Sequence, residues 1–492
     1  MDQATMTRRK CSALIAYMLR TAIYEPISPV PLGLFRIAFG CVLLLEAVYC
    51  INRRDLYFLE YPLRDQIPIG ILVALGVWTA SIICLILGFL TRFAACINYV
   101  CVVFFFRPNA LFCYHADMLY LPAAFLTALL PMHRAWSVDG LLIRNIWGVD
   151  LSKIPVPRLY NNAIIYWVLG FMYFDSSISK LESAFWRNGL GFWLPASFPS
   201  FTMFSLNALL NQEWLVKCAG YLTLIFEVAF VFLFWIPAAR IYLLVIGVLL
   251  HVGITTVFPI PLFGLLSLSI YVLFFPDPKL DSVCSVAKSL RRQLGLPEAK
   301  SVFGQNDMLL SKRDELLSSF IVILLAWLTV VQIGICFRVP LFKPELYRFL
   351  NRVLAVQRHD VLSDSAFNAM KMEVAVVYYD EVGEELWTPW ITKEGYVGSE
   401  GYGRFWTFWW SASVPRNFEK KRELWARVSE AWAKRTGRAL EAGFVVVKIR
   451  RPDMTRAWEK DRQLKNQAIP WTDFVKITWK GGMRHFERVK LQ

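Results

Sequence analysis

The sequence predicts an all-α polytopic membrane bundle of about nine spans followed by a small α+β extramembrane domain, and three observations carry that reading. Of 492 residues, 56% are apolar and 18% charged, against about 45–50% and about 25% in ordinary soluble proteins. Long uncharged runs are confined to residues 30 to 336. From 337 to 492 the chain carries 28 Lys/Arg against 19 Asp/Glu, with ten of its nineteen tryptophans. A purely soluble enzyme, a disordered scaffold and a disulfide-stapled secreted domain are thereby excluded.

Residues 1–30 read as a cytoplasmic N-terminal segment. Arg8, Arg9 and Lys10 are followed by Arg20, Glu25 and three prolines before any long apolar run, so the first span is expected to direct insertion itself. The transmembrane core is expected over 31–276. A span needs about 20 mostly apolar residues to cross about 30 Å of hydrocarbon. Residues 69–90 and 318–336 meet this without a charge, while 32–50, 220–239 and 241–258 do so carrying Arg36 and Glu46, Glu227, and His251. Residues 162–174 and 260–276 add two more, and 93–106 and 118–131 are short for the task. A charged linker over 277–317 is expected on the cytoplasmic side, and 318–336 is the last span. All ten cysteines lie at or before Cys336 without metal-ligand spacing, and they read as small buried hydrophobes. No metal is predicted.

Loop charge orients the bundle. With the N-terminus in the cytoplasm, seventeen Lys/Arg through Arg313 fall inside and seven outside. Nine spans then put the C-terminal domain on the outer (periplasmic, extracellular or lumenal) side with the 176–218 loop.

Ionisable groups inside a bilayer are costly, so each is a functional candidate. Arg36 and Glu46 are ten residues apart on one helix, too far to pair with each other but placed to clamp a neighbouring helix. Glu227 and His251 lie near the middles of consecutive spans and could pair across the interface. Lys180 leaves an apolar span together with Asp175 and precedes a turn at Trp186-Arg187-Asn188-Gly189. Spacing alone favours a lysine snorkelling to the headgroups over one held in a cavity. His115 and Asp117 enter the 118–131 span as a proton relay or a helix cap.

Phe35-Arg36-Ile37 with Gly40, His115 and Asp117, Trp136-Ser137-Val138-Asp139-Gly140, and Lys180-Leu181 with Trp186-Arg187-Asn188-Gly189 occur in an order and spacing that resembles the horizontally transferred transmembrane domain family. That family includes the vitamin K-dependent gamma-carboxylases, and the likeness runs from about residue 30 to 276. The resemblance implies a membrane-embedded site opening to the lumenal side. Lys180 matches the base that deprotonates vitamin K hydroquinone, and His115 the histidine that assists carboxylation. Desolvation among Phe174, Ile178, Leu181 and Phe185 would favour the neutral amine such a base needs. A nearby Asp175 or Glu182 would restore its charge.

The C-terminal region 337–492 reads as an α+β domain with a net charge of +9. A helix is expected over 344–357, strands over 372–379, 443–449 and 474–479, and a helix over 418–435. Arg404-Phe405-Trp406-Thr407-Phe408-Trp409-Trp410 reads as a strand alternating aromatics into a core; the other reading is an aromatic face on the membrane or on a partner peptide. Basic pairs such as Arg450-Arg451 suit anionic headgroups or an acidic peptide. Nucleic acid is not an expected partner, because this topology puts the domain outside the cell.

These readings together predict an integral membrane protein resembling the carboxylases, a carboxylase-like or quinone-linked lyase or oxidoreductase that uses a reduced quinone and a lysine base. Lys180 and His115 are the expected catalytic residues. Asp117, Asp175, Trp186, Arg187, Glu227 and His251 are expected to line the cavity. Membrane lipid, a quinone, and a peptide or protein substrate at the outer domain are the expected partners. The competing reading is a non-catalytic membrane binding or assembly protein of the same fold, in which the buried charges pair off and no cavity remains.

Overall fold

A helix satisfies its own backbone groups, which lets an apolar run lie in hydrocarbon. In the computed structural model, residues 20–58, 69–106, 115–274, 310–339, 341–359, 362–370, 372–412 and 418–489 are described. The bundle opens with α1 (Val30–Asn52) and α2 (Ile69–Leu87), continues with the shorter α3 (Thr91–Phe106) and α4 (Asp117–Leu129), and then with α5 (Phe171–Glu182). Helix Arg158–Ile164 and a π-helical stretch, Ile165–Gly170, lead directly into α5. It closes with α6 (Glu213–Leu233), α7 (Pro237–Val257), α8 (Pro261–Tyr271) and α9 (Lys312–Cys336).

Five of these, α1, α2, α6, α7 and α9, are long and apolar enough to cross a membrane. The other four predicted spans take the form of shorter or interrupted helices, so nine full-length spans are not confirmed. Burial explains part of the difference. In α4, Leu119, Tyr120, Leu121, Ala123, Ala124 and Leu126 are all inaccessible, so the helix is enclosed by its neighbours rather than matched to a lipid thickness. The long helices instead leave large apolar side chains on the outer surface, Val73 and Val77 on α2, Ile225 and Phe232 on α6, Leu249 on α7 and Ile323 on α9. Cys41, Cys96 and Cys218 are exposed there as well, contrary to the expectation that the cysteines are buried. Helix α9 starts six residues before the predicted 318, because Ser311 caps its first turn by accepting from the Asp314 amide. Residues 1–19 and 275–309, which hold most of the expected N-terminal segment and linker, lie outside the described residues.

Hydrogen bonds sort the connections to the two ends of the bundle. At one end, β1 (Pro26–Ile27) pairs with β2 (Val156–Pro157), Arg158 meets Glu25 at 2.5 Å, Arg134 meets Asp314 at 2.9 Å, and Arg240 donates to Asn162 at 2.8 Å. The opposite end carries the 183–211 loop and the C-terminal domain.

That domain follows α10 (Pro344–Leu354). Strands β3 (Glu373–Tyr379), β4 (Glu385–Trp387), β5 (Phe444–Arg450), β6 (Thr472–Lys480) and β7 (Met483–Arg488) form one antiparallel sheet in the order β4-β3-β5-β6-β7. Helices α11 (Arg404–Ala412), α12 (Phe418–Thr436) and α13 (Arg462–Ala468) pack on it and on the bundle. The aromatic run is therefore a helix, not a strand. Phe405, Trp406 and Trp409 occupy i, i+1 and i+4, so a 3.6-residue period turns all three inward, away from membrane and partner alike. The side chains of Phe408 and Trp410 lie outside the described residues. Arg450 is also buried, paired with Glu373, and so does not contribute to a basic surface.

The domain is bonded to the bundle. Trp406 Nε1 donates to the Ser200 carbonyl at 2.9 Å, the Ser200 hydroxyl to Glu373 at 2.5 Å, and Gly403 N–H to the Pro259 carbonyl at 2.7 Å. Gln463 and Asn466 on α13 donate to the Ala196 and Ser197 carbonyls at 3.0 and 3.1 Å.

Candidate functional site

Lys180 sits in the last turn of α5, which the preceding π stretch brings into the bundle interior. Its side chain is 8% exposed, and its ammonium is bonded to Glu227 of α6, itself 7% exposed. The Trp186 ring lies 4.6 Å from Nζ, presenting its negative face to the cation. Snorkelling is thus overturned: a carboxylate and an indole hold the amine inside. The charge partner is Glu227, one helix away, and neither Asp175 nor Glu182. Ser176, one turn before Lys180, lies beside the same carboxylate. Among the described residues, Glu227 Oε2 has no hydrogen-bond partner of normal geometry.

The expected Glu227–His251 pair does not form. His251 Nε2 is 2.5 Å from the Tyr173 hydroxyl, which is 2.8 Å from Tyr271, so a phenol chain occupies the imidazole while the amine takes Glu227. His251 Nδ1 has no partner among the described residues.

These groups line one cavity of about 100 Å3, on a measure in which a single water needs about 10–15 Å3. Lys180, Glu227, His251 and Tyr173 form its polar wall, and Phe201, Leu250, Ile254, Phe258, Ile260 and Phe263 the apolar one. Two histidines complete it. His115, in the turn just before α4, and His359 from the C-terminal region stand edge to face with centroids 5.5 Å apart. Burial holds the His115 imidazole down to about 4 against the opposing charge of Asp117. It also depresses His359 well below the usual histidine value, helped by His115 and then Lys180. Both are neutral at physiological pH.

His359, Leu362 and Phe201 were not singled out by the sequence, and Trp406 was expected in a strand and not at the cavity. One signal was available: the chain has five histidines, and three of them, His115, His251 and His359, converge here. What could not be read is that the C-terminal region folds back to close the cavity.

Several predicted lining residues lie elsewhere. Asp117 is bonded to Arg404 of α11 at 2.5 and 3.0 Å, and Arg404 Nε donates to Glu46 at 2.5 Å, so Asp117 anchors the domain instead of relaying protons from His115. Residues 107–114, which precede His115, lie outside the described residues. Asp175 accepts the His359 backbone N–H and, at 2.9 Å, the Cys336 thiol, which sets the position of His359 without reaching the cavity. Trp186 packs on Lys180 and donates to the Leu362 carbonyl at 2.8 Å. Arg187 is exposed and turns back to the Leu181 and Glu182 carbonyls at 3.3 and 3.5 Å. It is carried outward because Gly189, at φ 76°, reverses the chain against Gly220. Arg36 does clamp neighbours, donating to the Leu85 carbonyl, to Ile86 at 2.7 Å and to Trp136 at 2.6 Å.

The arrangement suits a ring-sized, largely apolar molecule bearing a hydroxyl: one wall is hydrocarbon, and the other offers an ammonium–carboxylate pair with a free oxygen. No curated protein and no solved structure matches this chain. The sequence profile of the HTTM domain, the domain named in vitamin K-dependent gamma-carboxylase, matches residues 24–278. That stretch is more than half of the chain and supplies Lys180, Glu227, His251 and His115, so the protein is a membrane protein of the HTTM domain family, related to the carboxylases.

Proposed function

We propose that this protein is a membrane enzyme that binds a reduced quinone in the cavity and removes its hydroxyl proton with the Lys180–Glu227 pair. The observation that carries the reading is a buried lysine–glutamate pair opening onto an apolar cavity beside two neutral histidines. A phenolic hydroxyl and a free ammonium both titrate near about 10, so a solvated lysine would be a poor base at neutral pH. The Glu227 carboxylate changes what the lysine can do. When the proton shared by the pair rests on Glu227, Lys180 Nζ has a lone pair for the substrate O–H. That bond breaks, an N–H bond forms, and the new ammonium stays beside the anionic oxygen it has created. Trp186 supports the cation through its ring face. The surrounding Phe201, Phe258 and Phe263 keep water from competing for the anion. His115 and His359, both neutral, can accept or return a proton on the opposite wall.

A bound hydroquinone supplies the acidic hydroxyl and the reducing equivalents for reaction with oxygen. In the carboxylase-like form of the reading, a peptide glutamate would approach from the C-terminal domain, which closes the cavity with His359, Leu362 and Trp406. The outer-side orientation and nine membrane crossings, counting the shorter helices, belong to the same proposal.

A second reading, a non-catalytic binding or assembly protein, is favoured by one observation: the costly charges are largely paired off, with Arg36 on three carbonyls and Glu46 and Asp117 on Arg404. The test is purification in detergent, mass analysis of co-purifying quinones, and hydroquinone oxidation under oxygen. Loss of oxidation with retained quinone in Lys180→Ala/Glu227→Gln supports the base assignment. Equal oxidation in that variant sinks it, and quinone bound without turnover in the wild type supports the second reading.

A further inference from the structure

The last turn of α9 ends in a groove that the cavity does not use. Gly334 and Ile335 of α9, with Val339 and Val356, supply apolar surface, while Arg338, Arg348 and Arg358 bring three guanidiniums to it together with Tyr347 and Asn351; its volume is about 390 Å3. Helix α9 is long and apolar enough to span a membrane, and in a spanning orientation its final turn would meet the headgroup layer. The surroundings agree with that depth. Phe337, Leu341 and Phe349 are all exposed next to the groove, as side chains placed at a hydrocarbon boundary are.

We infer that this groove binds the phosphate of an anionic phospholipid, with the acyl chains lying along α9. Among the described residues, the guanidiniums meet the carboxylates of Glu182 and Glu345. Glu182 is shared between Arg358 at 2.9 Å and Arg338 at 3.7 Å, and Glu345 meets Arg348 at 3.0 Å in an i,i+3 pair. The Arg338 and Arg348 pairs have both partners more than half exposed, so solvent screens them and a phosphate can compete for either arginine. Phosphodiester oxygens match the guanidinium fork, and a diacyl tail matches the apolar flank. A free phosphate would use the first feature and waste the second. Arg338 holds φ 57°, a left-handed conformation that favours glycine, at the residue that turns the chain out of α9, and it lines the groove.

The test uses the full-length protein in detergent, titrated with phosphatidylglycerol, phosphatidylcholine or inorganic phosphate and read by native mass spectrometry. Wild type is expected to retain phosphatidylglycerol over phosphatidylcholine. Arg338→Ala/Arg348→Ala should weaken phosphatidylglycerol retention about tenfold, and Arg451→Ala, an exposed arginine elsewhere, should not. Both substituted arginines are exposed, and an unchanged melting temperature would show that the fold is intact. Equal retention of phosphatidylglycerol by wild type and the double variant overturns the assignment. So does equal retention of the two lipids by wild type, or displacement of phosphatidylglycerol by millimolar inorganic phosphate.

Discussion

Lys180 and Glu227 stabilise each other only as a pair. Glu227→Gln leaves an ammonium in a site less than a tenth exposed, and an uncompensated buried charge costs about 3–5 kcal/mol. Lys180→Met/Glu227→Gln removes both charges and should recover most of that loss, a non-additivity measurable by thermal unfolding in detergent. The histidines give a pH dependence of defined sign. Burial holds His115 down to about 4 in the folded protein, below its unfolded value of about 6.5, so protonating the imidazole costs the fold stability. Its contribution is complete above about pH 6.5 and is lost as pH falls toward about 4; His359, depressed in the same direction, adds to it. Melting temperature should therefore fall across that window, and His115→Gln should flatten the decline.

At the level of elements, the turn after α5 is held by a backbone contact that only glycine permits. A Cβ on Gly220 of α6 would stand 2.2 Å from the Gly189 carbonyl oxygen, and that oxygen belongs to backbone and cannot rotate away. Gly220→Ala should therefore push the 186–189 turn off α6, lowering stability by about 1–3 kcal/mol. Because Trp186 rides on that turn over Lys180, quinone retention should fall as well, whereas Gly253→Ala, with nothing near its Cβ, should be neutral in both measurements. The α11 helix teaches a related point. A strand would set Phe405 and Trp409 on one face and Trp406 on the other, a helix gathers all three at i, i+1 and i+4, and a short run rich in aromatics cannot by itself choose between them. The contacts made by Arg404 and Trp406 at the bundle end choose helix, since one turn must present both to α1, α4 and the 199–201 turn.

For the whole molecule, the connections gather at two ends of the bundle. Arg134, Arg158 and Arg240, counted as cytoplasmic, share one end, and the C-terminal domain covers the other. Which end faces the cytoplasm is open to a direct measurement. In a cysteine-free background, Val382→Cys on the domain surface is expected to react with a membrane-impermeant maleimide added to intact cells, and Ile146→Cys at the other end only after lysis. The reverse pattern would invert the assigned orientation.

The apolar runs, the two-part organisation and the order of motifs matching the HTTM family were legible in the sequence, because hydrophobicity and local spacing are properties of neighbouring residues. So was the prominence of Lys180, Glu227, His115 and His251, since polar groups are few in an apolar chain. Partners were not legible. Lys180 meets Glu227 across 47 positions and Asp117 meets Arg404 across 287, and pattern cannot state which of several charges a fold brings together. His359 stands for the rest of the site. Nothing near it in sequence marks it out, and it reaches the cavity only because Asp175 and the docked domain hold its backbone there. Local hydrophobic pattern sufficed for most elements and for which buried charges are costly, but not for the helical form of Arg404–Ala412, while tertiary packing decided which buried charges are neutralised and where a cavity is left, because both depend on distances between segments remote along the chain.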